Sequence, residues 1–273
     1  MRKIKFLLLL LCSIHVANAQ SQGDTTAIIR EFNQVMSFAV HPYLYFNSIM
    51  LMHGGPMADP GKTGNTLHNE FYKMEDDLYY GNEQEEIYLQ DSLMVRINHS
   101  RKTIQLSKVD VATKKRMDLL PLKKGDMQKM LREHCLLSRP ADEGDTGQII
   151  IRSPEKRSPR GFMSSEMIVR YNRQSHLPVL MELDMHVRQD ETEQLLDMLK
   201  DQGFDVVKME QEKDGKKSLT MTQIASVLFG AIEMTKEKAI QMPLWKERID
   251  YDDQLKNYSG KGRCEGYEIV KTF

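Results

Sequence analysis

Apolar and polar positions along the chain change period several times, and each change marks an element. Ile28, Ile29, Phe32, Val35, Met36 and Ala39 recur at helical spacing, with Asp24 or Thr25 available as the cap. His41-Pro42 ends that helix, because a residue before proline avoids helical geometry. Tyr43 to Met52 then reads as a strand, and a Gly- and Pro-rich loop follows from His53 to Asn65. Beyond it the period drops to two. Phe71 to Tyr80, Ile87 to Leu89, Leu93 to Ile97 and Thr103 to Val109 are short alternating runs divided by polar turns, the signature of antiparallel hairpins.

Gly125 to Leu137 returns to helical spacing, and Gln148 to Ile151 is a short apolar strand. Met163 to Tyr171 and Leu177 to Val187 form the clearest hairpin. Leu177, Val179, Met181, Leu183, Met185 and Val187 alternate with Glu182, Asp184, His186 and Arg188, so one face is dry and the other wet. Asp190 to Gln202 is helical, with Gly203 as its stop. Phe204 to Met209 is a candidate strand and Lys213 to Lys217 a charged turn. Leu219 to Met234 fits a helix or a strand equally. Trp245 to Tyr251 alternates, and Gly266 to Phe273 closes the chain as a strand. The expected fold is α+β: a curved, mostly antiparallel sheet, a half-barrel with a few amphipathic helices on its concave face.

The first residues follow another grammar. Arg2, Lys3 and Lys5 are basic, Phe6 to Val16 is apolar, and Ala17-Asn18-Ala19 offers a signal-peptidase site. Residues 1–19 are therefore expected to be a cleaved signal peptide, and residues 20–273 a single exported, periplasmic or extracellular domain. Leu11 before Cys12 is too large for lipoprotein processing, so Cys12 belongs to the discarded signal. No later window offers the ~18–20 apolar residues of a membrane-spanning helix. Loss of the three basic residues leaves a net charge of about −4, which disfavours a nucleic-acid partner. Cys135 and Cys264 remain, enough for one long-range disulfide.

Candidate chemistry is sparse. Gly55 to Thr63 has the outline of a phosphate-binding loop, but Pro56 stands where a glycine must present its backbone N–H. No histidine has metal-ligand spacing, and no Ser or Cys sits in a nucleophile motif. Asp76-Asp77 and Asp252-Asp253 read as solvated turns. Met50, Met52 and His53 have the soft donors that suit copper(I), which makes a copper-handling protein one alternative. A secreted hydrolase assembled from distant residues is another. The abundance of methionine supports a third reading. Met163, Met167, Met181, Leu183 and Met185 would form an apolar sheet face able to accommodate varied apolar ligands, with no cofactor and no catalysis, unless that face is ordinary packed core.

The order of elements, with the run FYKMEDDLYYGNEQEEIYLQDSLMVRINHSRKTIQLSKVD, the later hairpin MIVRYNRQSHLPVLMELDMHV and the ending WKERIDYDDQ…CEGYEIVKTF, resembles Bacteroidetes envelope proteins. These share the half-barrel of the periplasmic lipoprotein carrier and its outer-membrane receptor. The resemblance implies a non-enzymatic binding or scaffolding protein. Its ligand would be a lipid or lipoprotein acyl chain, or its partner another envelope protein. It leaves Arg96, Arg101 and Arg170 equally open as counterparts of the carrier's cavity arginine. Amino-terminal sequencing of the exported protein should begin at Gln20; a start at Met1 would remove the signal.

Overall fold

The computed structural model describes residues 25–55, 65–90, 92–110, 124–140, 144–158, 161–190, 192–201, 210–213, 216–252 and 257–272. The expected signal, the phosphate-loop-like segment 56–64 and the candidate strand Phe204 to Met209 lie outside them. Helix α1 covers residues 25–35 and tightens into a 3-10 turn, Met36–Val40, that stops at His41. The strands are β1 (Tyr43–Gly55), β2 (Asn65–Met74), β3 (Asp77–Gly81), β4 (Glu85–Gln90), β5 (Leu93–Asn98), β6 (Thr103–Lys108), β7 (Leu136–Ser138), β8 (Thr146–Ser158), β9 (Gly161–Asn172), β10 (Pro178–Asp190), β11 (Glu210–Lys213), β12 (Lys216–Glu233), β13 (Ile249–Asp252), β14 (Asn257–Gly260) and β15 (Glu268–Lys271). The other helices among the described residues are α2 (Lys124–His134), α3 (Glu193–Asp201) and α4 (Lys236–Ala239).

Thirteen strands make one curved, unclosed sheet, the half-barrel the alternation predicts, in the order β15-β6-β5-β4-β3-β2-β1-β12-β10-β9-β8-β7 with β11 also on β12. Among the described residues all strand pairings are antiparallel except that of β15 with β6. The ambiguous segment 219–234 is β12, the long strand that joins the two halves. Its Thr220, Thr222 and Ser226 line the wet face of β10, but Ile224 and Leu228 stand among them and Gln223 stands on the other face, which breaks the period-two signal. Trp245–Glu247 is a 3-10 turn ahead of β13, which shortens the expected strand there.

Asparagines open three hairpins. Asn82 Oδ1 accepts the amides of Gln84 and Glu85, and Asn172 Oδ1 those of Gln174 and Ser175. Asn98 Oδ1 accepts the Arg101 amide and the Ser100 hydroxyl. Such side-chain turns fix where one strand stops and the next starts, and so fix register.

Two cores lie on opposite faces. The concave core packs Ile28, Ile29, Phe32, Val35 and Phe38 against Phe46, Phe71, Ile149, Val169 and Tyr171, with Leu131 of α2. Tyr171 lies over Gly147 of the neighbouring strand, where any Cβ would meet the ring at 2.3 Å. The second core lies on the other face of the first half of the sheet. Its spine is a cross-strand row, Tyr45, Tyr72, Tyr79 and Tyr88, one tyrosine on each of four adjacent strands. Their ring centroids are 4.7, 6.0 and 4.9 Å apart in sequence along the row. Aromatic pairs of this kind are worth about 0.5–1.5 kcal/mol each beyond burial. Burial pushes the Tyr72 phenol up to about 12.

The carboxy-terminal segment covers this row with Met242, Ile249 and Cys264. A buried carboxylate pins it there. Glu86 is fully buried, accepts a hydrogen bond from the Tyr88 hydroxyl, and forms ion pairs with Arg248 at 3.1 Å and with Arg263. His99 Nε2 lies 3.4 Å away; burial, then the Arg248 charge, holds that imidazole below its ordinary value. The disulfide is not formed. Cys264 is buried in the second core and Cys135 packs on the concave one, both as free thiols whose pKa burial raises. Glu86→Ala should destabilise the protein by about 3 kcal/mol in urea unfolding, because Arg248 loses its buried partner. It should also speed alkylation of Cys264 but not of Cys135. Unchanged Cys264 labelling would show that Glu86 does not hold the tail.

Candidate functional site

Cross-strand pairing places the predicted methionine face residue by residue. In one row Ile149, Val169, Met181, Val227 and Met50 stand side by side on β8, β9, β10, β12 and β1. In the next row stand Ile151, Met167, Leu183, Ala225 and Met52. Ser165, Met185 and Gln223 follow, and then Met163 opposite Val187. Residues directly paired across an antiparallel sheet share a face. All five predicted residues are therefore on the concave side, and Met50 and Met52 join them.

The structure divides that face. Near α1 it is core: Met167 and Met181 pack against the buried cluster under the helix. Helix α1 is held down by Glu31, which pairs with Arg139 at 3.2 Å and accepts the Tyr171 hydroxyl. Phe38 of the 3-10 turn wedges against Phe46 and Phe229, at centroid distances of 6.1 and 5.9 Å. Farther along the strands the packing opens before it closes again at Leu219 of β12, which is fully buried. Met163 is 45 % exposed and Met52 37 %, and Leu183, Met185, Val187 and Ala225 are half-buried. Neither core takes in Met163, Leu183, Met185, Met50 or Met52.

This outer patch is wide and shallow. It crosses β1, β12, β10 and β9, about 14 Å at the usual strand spacing, and runs about 13 Å from Leu183 to Val187. Small Ala225 sits between Met52 and Leu183, so the larger side chains of β1 and β10 flank a short one on β12. Unbranched, polarisable side chains there can reshape around a guest without breaking packing elsewhere.

Other sequence candidates fall elsewhere. His53 occupies an odd position of β1, in register with Ile224, whereas Met50 and Met52 occupy even ones, so the three do not line up as one copper-binding row. Among the described residues no cluster of His, Cys, Asp and Glu is arranged to hold a metal. Of the three arginines, Arg96 shares the concave row of Phe46, Phe71, Tyr80 and Ile87 and pairs with Glu85 at 2.8 Å. Arg170 is in register with Leu180 on the convex side, and Arg101 sits in a turn.

The wet face of β10 is as predicted. Asp184 and His186 lie 3.3 Å apart, and His186 Nδ1 is 3.0 Å from the Thr222 hydroxyl. This carboxylate–imidazole–hydroxyl array has the connectivity of a hydrolytic triad. It stands on an open strand surface, where Thr222 lies within the ladders β12 makes with β1 and β10. Ladder pairing occupies the backbone amides that an oxyanion would need.

Sequence reasoning placed Val187 on this face but missed that Met50, Met52 and Ala225 complete the patch. Its only signal is the parity of β12, which cannot be read until that segment is known to be a strand. Phe32→Ala, under α1, should cost about 3–5 kcal/mol of stability, whereas Met163→Ala should change it by less than about 0.5 kcal/mol. Thermal and urea unfolding of both variants measure the boundary between core and patch; equal losses would erase it.

No protein-family model and no curated protein matches the chain. Among solved structures it is similar to the crystal structure of a DUF1329 family protein from Desulfovibrio piger, at 9 % identity over 85 % of this chain and 99 % of that one, with a TM-score of 0.32.

Proposed function

We propose that this chain is an exported, non-enzymatic binding protein that holds an apolar chain, such as a lipid or lipoprotein acyl group, on the outer part of its concave face. The observation that carries the reading is the half-exposed methionine patch, Met52, Met163 and Met185 with Leu183, continuous with a well-packed core. Contiguous apolar surface left open beside a core marks a binding surface more often than an accident of packing. An acyl chain laid there gains about 0.8 kcal/mol per buried CH2, enough for reversible capture and release. The signal-like residues 1–19 and the resemblance to envelope carriers agree with a lipid-rich setting.

The test separates binding from folding. The mature protein is titrated with an environment-sensitive fluorescent fatty acid. Met185→Asp should weaken binding by at least about tenfold and leave the thermal midpoint nearly unchanged, because a carboxylate would be buried only on occupancy. Met181→Asp should instead lower the midpoint sharply, since that side chain packs under α1. Full affinity in Met185→Asp, or no binding by the wild type, would overturn the proposal.

A further inference from the structure

A groove of about 460 Å³ lies outside the concave patch, between α1 and α2. One wall is a polar stripe of α1: Arg30, Asn33, Gln34 and Ser37, spaced to share a face. Gln128 and Arg132, one turn apart on α2, form the other wall. None of the residues lining the groove carries a carboxylate. The acid next to Arg30, Glu31, is taken by Arg139 and Tyr171. Arg30 and Arg132 are both exposed, and neither has an ion-pair partner among the described residues. Asn33 Oδ1 is shielded from solvent with no hydrogen-bond partner among them.

Two guanidiniums facing one space without a counter-charge repel each other and favour an anion between them. Guanidinium forks match the oxygens of a phosphate. The groove is larger than a phosphate alone requires, and the rest of its wall is amide and hydroxyl. An orphaned, shielded acceptor such as Asn33 Oδ1 costs free energy until a donor reaches it, and a ligand hydroxyl would supply one.

We propose that this groove is a binding site for a phosphate ester with a hydroxyl-bearing remainder. Arg30 and Arg132 clamp the phosphate, and Asn33 and the neighbouring amides take the hydroxyls. The site stands apart from the acyl patch and does not depend on it. Its ligand is either a free polyol phosphate or the headgroup of a lipid, which share this chemistry.

Isothermal titration of the mature protein with inorganic phosphate, glycerol 3-phosphate and dihexanoylphosphatidylglycerol below its micelle concentration tests it. The expected result is saturable binding of glycerol 3-phosphate or the short-chain lipid, tighter than of inorganic phosphate. The tighter of the first two identifies the source. Arg30→Gln and Arg132→Gln should each weaken that binding by about tenfold or more, with circular dichroism and thermal midpoint unchanged because both side chains are exposed. Lys129→Gln, which removes a nearby exposed charge on α2 outside the groove, should leave the affinity as it was. Absence of saturable binding for all three probes, or equal weakening by all three substitutions, would overturn the site.

Discussion

Strand β1 pairs along most of its length with β2 on one side and β12 on the other, and its two faces belong to different cores. Leu44 and Phe46 point into the concave core beneath α1, while Tyr45 starts the tyrosine row of the second core. A slip of one residue would exchange these sets, because side chains alternate with a strict period of two. The aromatic pairs fix the register from both sides: Phe46 stacks on Phe71 with centroids 5.0 Å apart, and Tyr45 sits against Tyr72. β12 carries one extra residue at Gly230-Ala231 opposite Asn47, and the Asn47 side chain accepts the Ala231 amide that this bulge would otherwise leave open. The patch inherits its position from this register. Met50 and Met52 align in the same rows as Met181 and Leu183, one strand away, because β12 is locked between β1 and β10.

Each half of the sheet is closed differently. On the first half the carboxy-terminal segment is drawn onto the tyrosine row and held by the Glu86 carboxylate with Arg248 and Arg263. On the second half α1 fills the near part of the concave face and stops, held by Glu31 on Tyr171 and Arg139. Because α1 is shorter than the strands it crosses are long, β9, β10 and β12 carry apolar residues past the helix, half-exposed up to the point where Leu219 is buried again. That mismatch is the physical origin of the proposed binding surface. It also explains why neighbouring methionines of one strand differ in role: Met181 is core and Met185 is not.

Much of this was legible in the sequence. The hairpins follow from alternation and polar turns, the β10 dry face from Met181 to Val187 from strict period two, and the end of the first helix from His41-Pro42; Val179, at a register shift, is exposed. The central strand was not. Thr220, Thr222 and Ser226 share the wet face of β10, but Ile224 and Leu228 interrupt them and Gln223 interrupts the opposite face, so the period of β12 is blurred. With its parity hidden, Met50-Leu51-Met52-His53 reads as a local copper motif, when Met50 and Met52 belong to a patch shared with β9 and β10. The cysteines could not be judged either, since only the fold reveals that they sit in separate cores. Arg30 and Arg132 carry no recognisable spacing; they meet only because α1 and α2 share the concave side.

The central claim is that the outer concave methionines receive an apolar chain while the inner ones serve only as core. Methyl-labelled methionine NMR of the mature protein, titrated with a fatty acid, tests this directly. Saturable shifts are expected at Met50, Met52, Met163 and Met185, with little change at buried Met36 and Met242. Shifts spread evenly over all methionines, or none at the four outer ones, would contradict that claim.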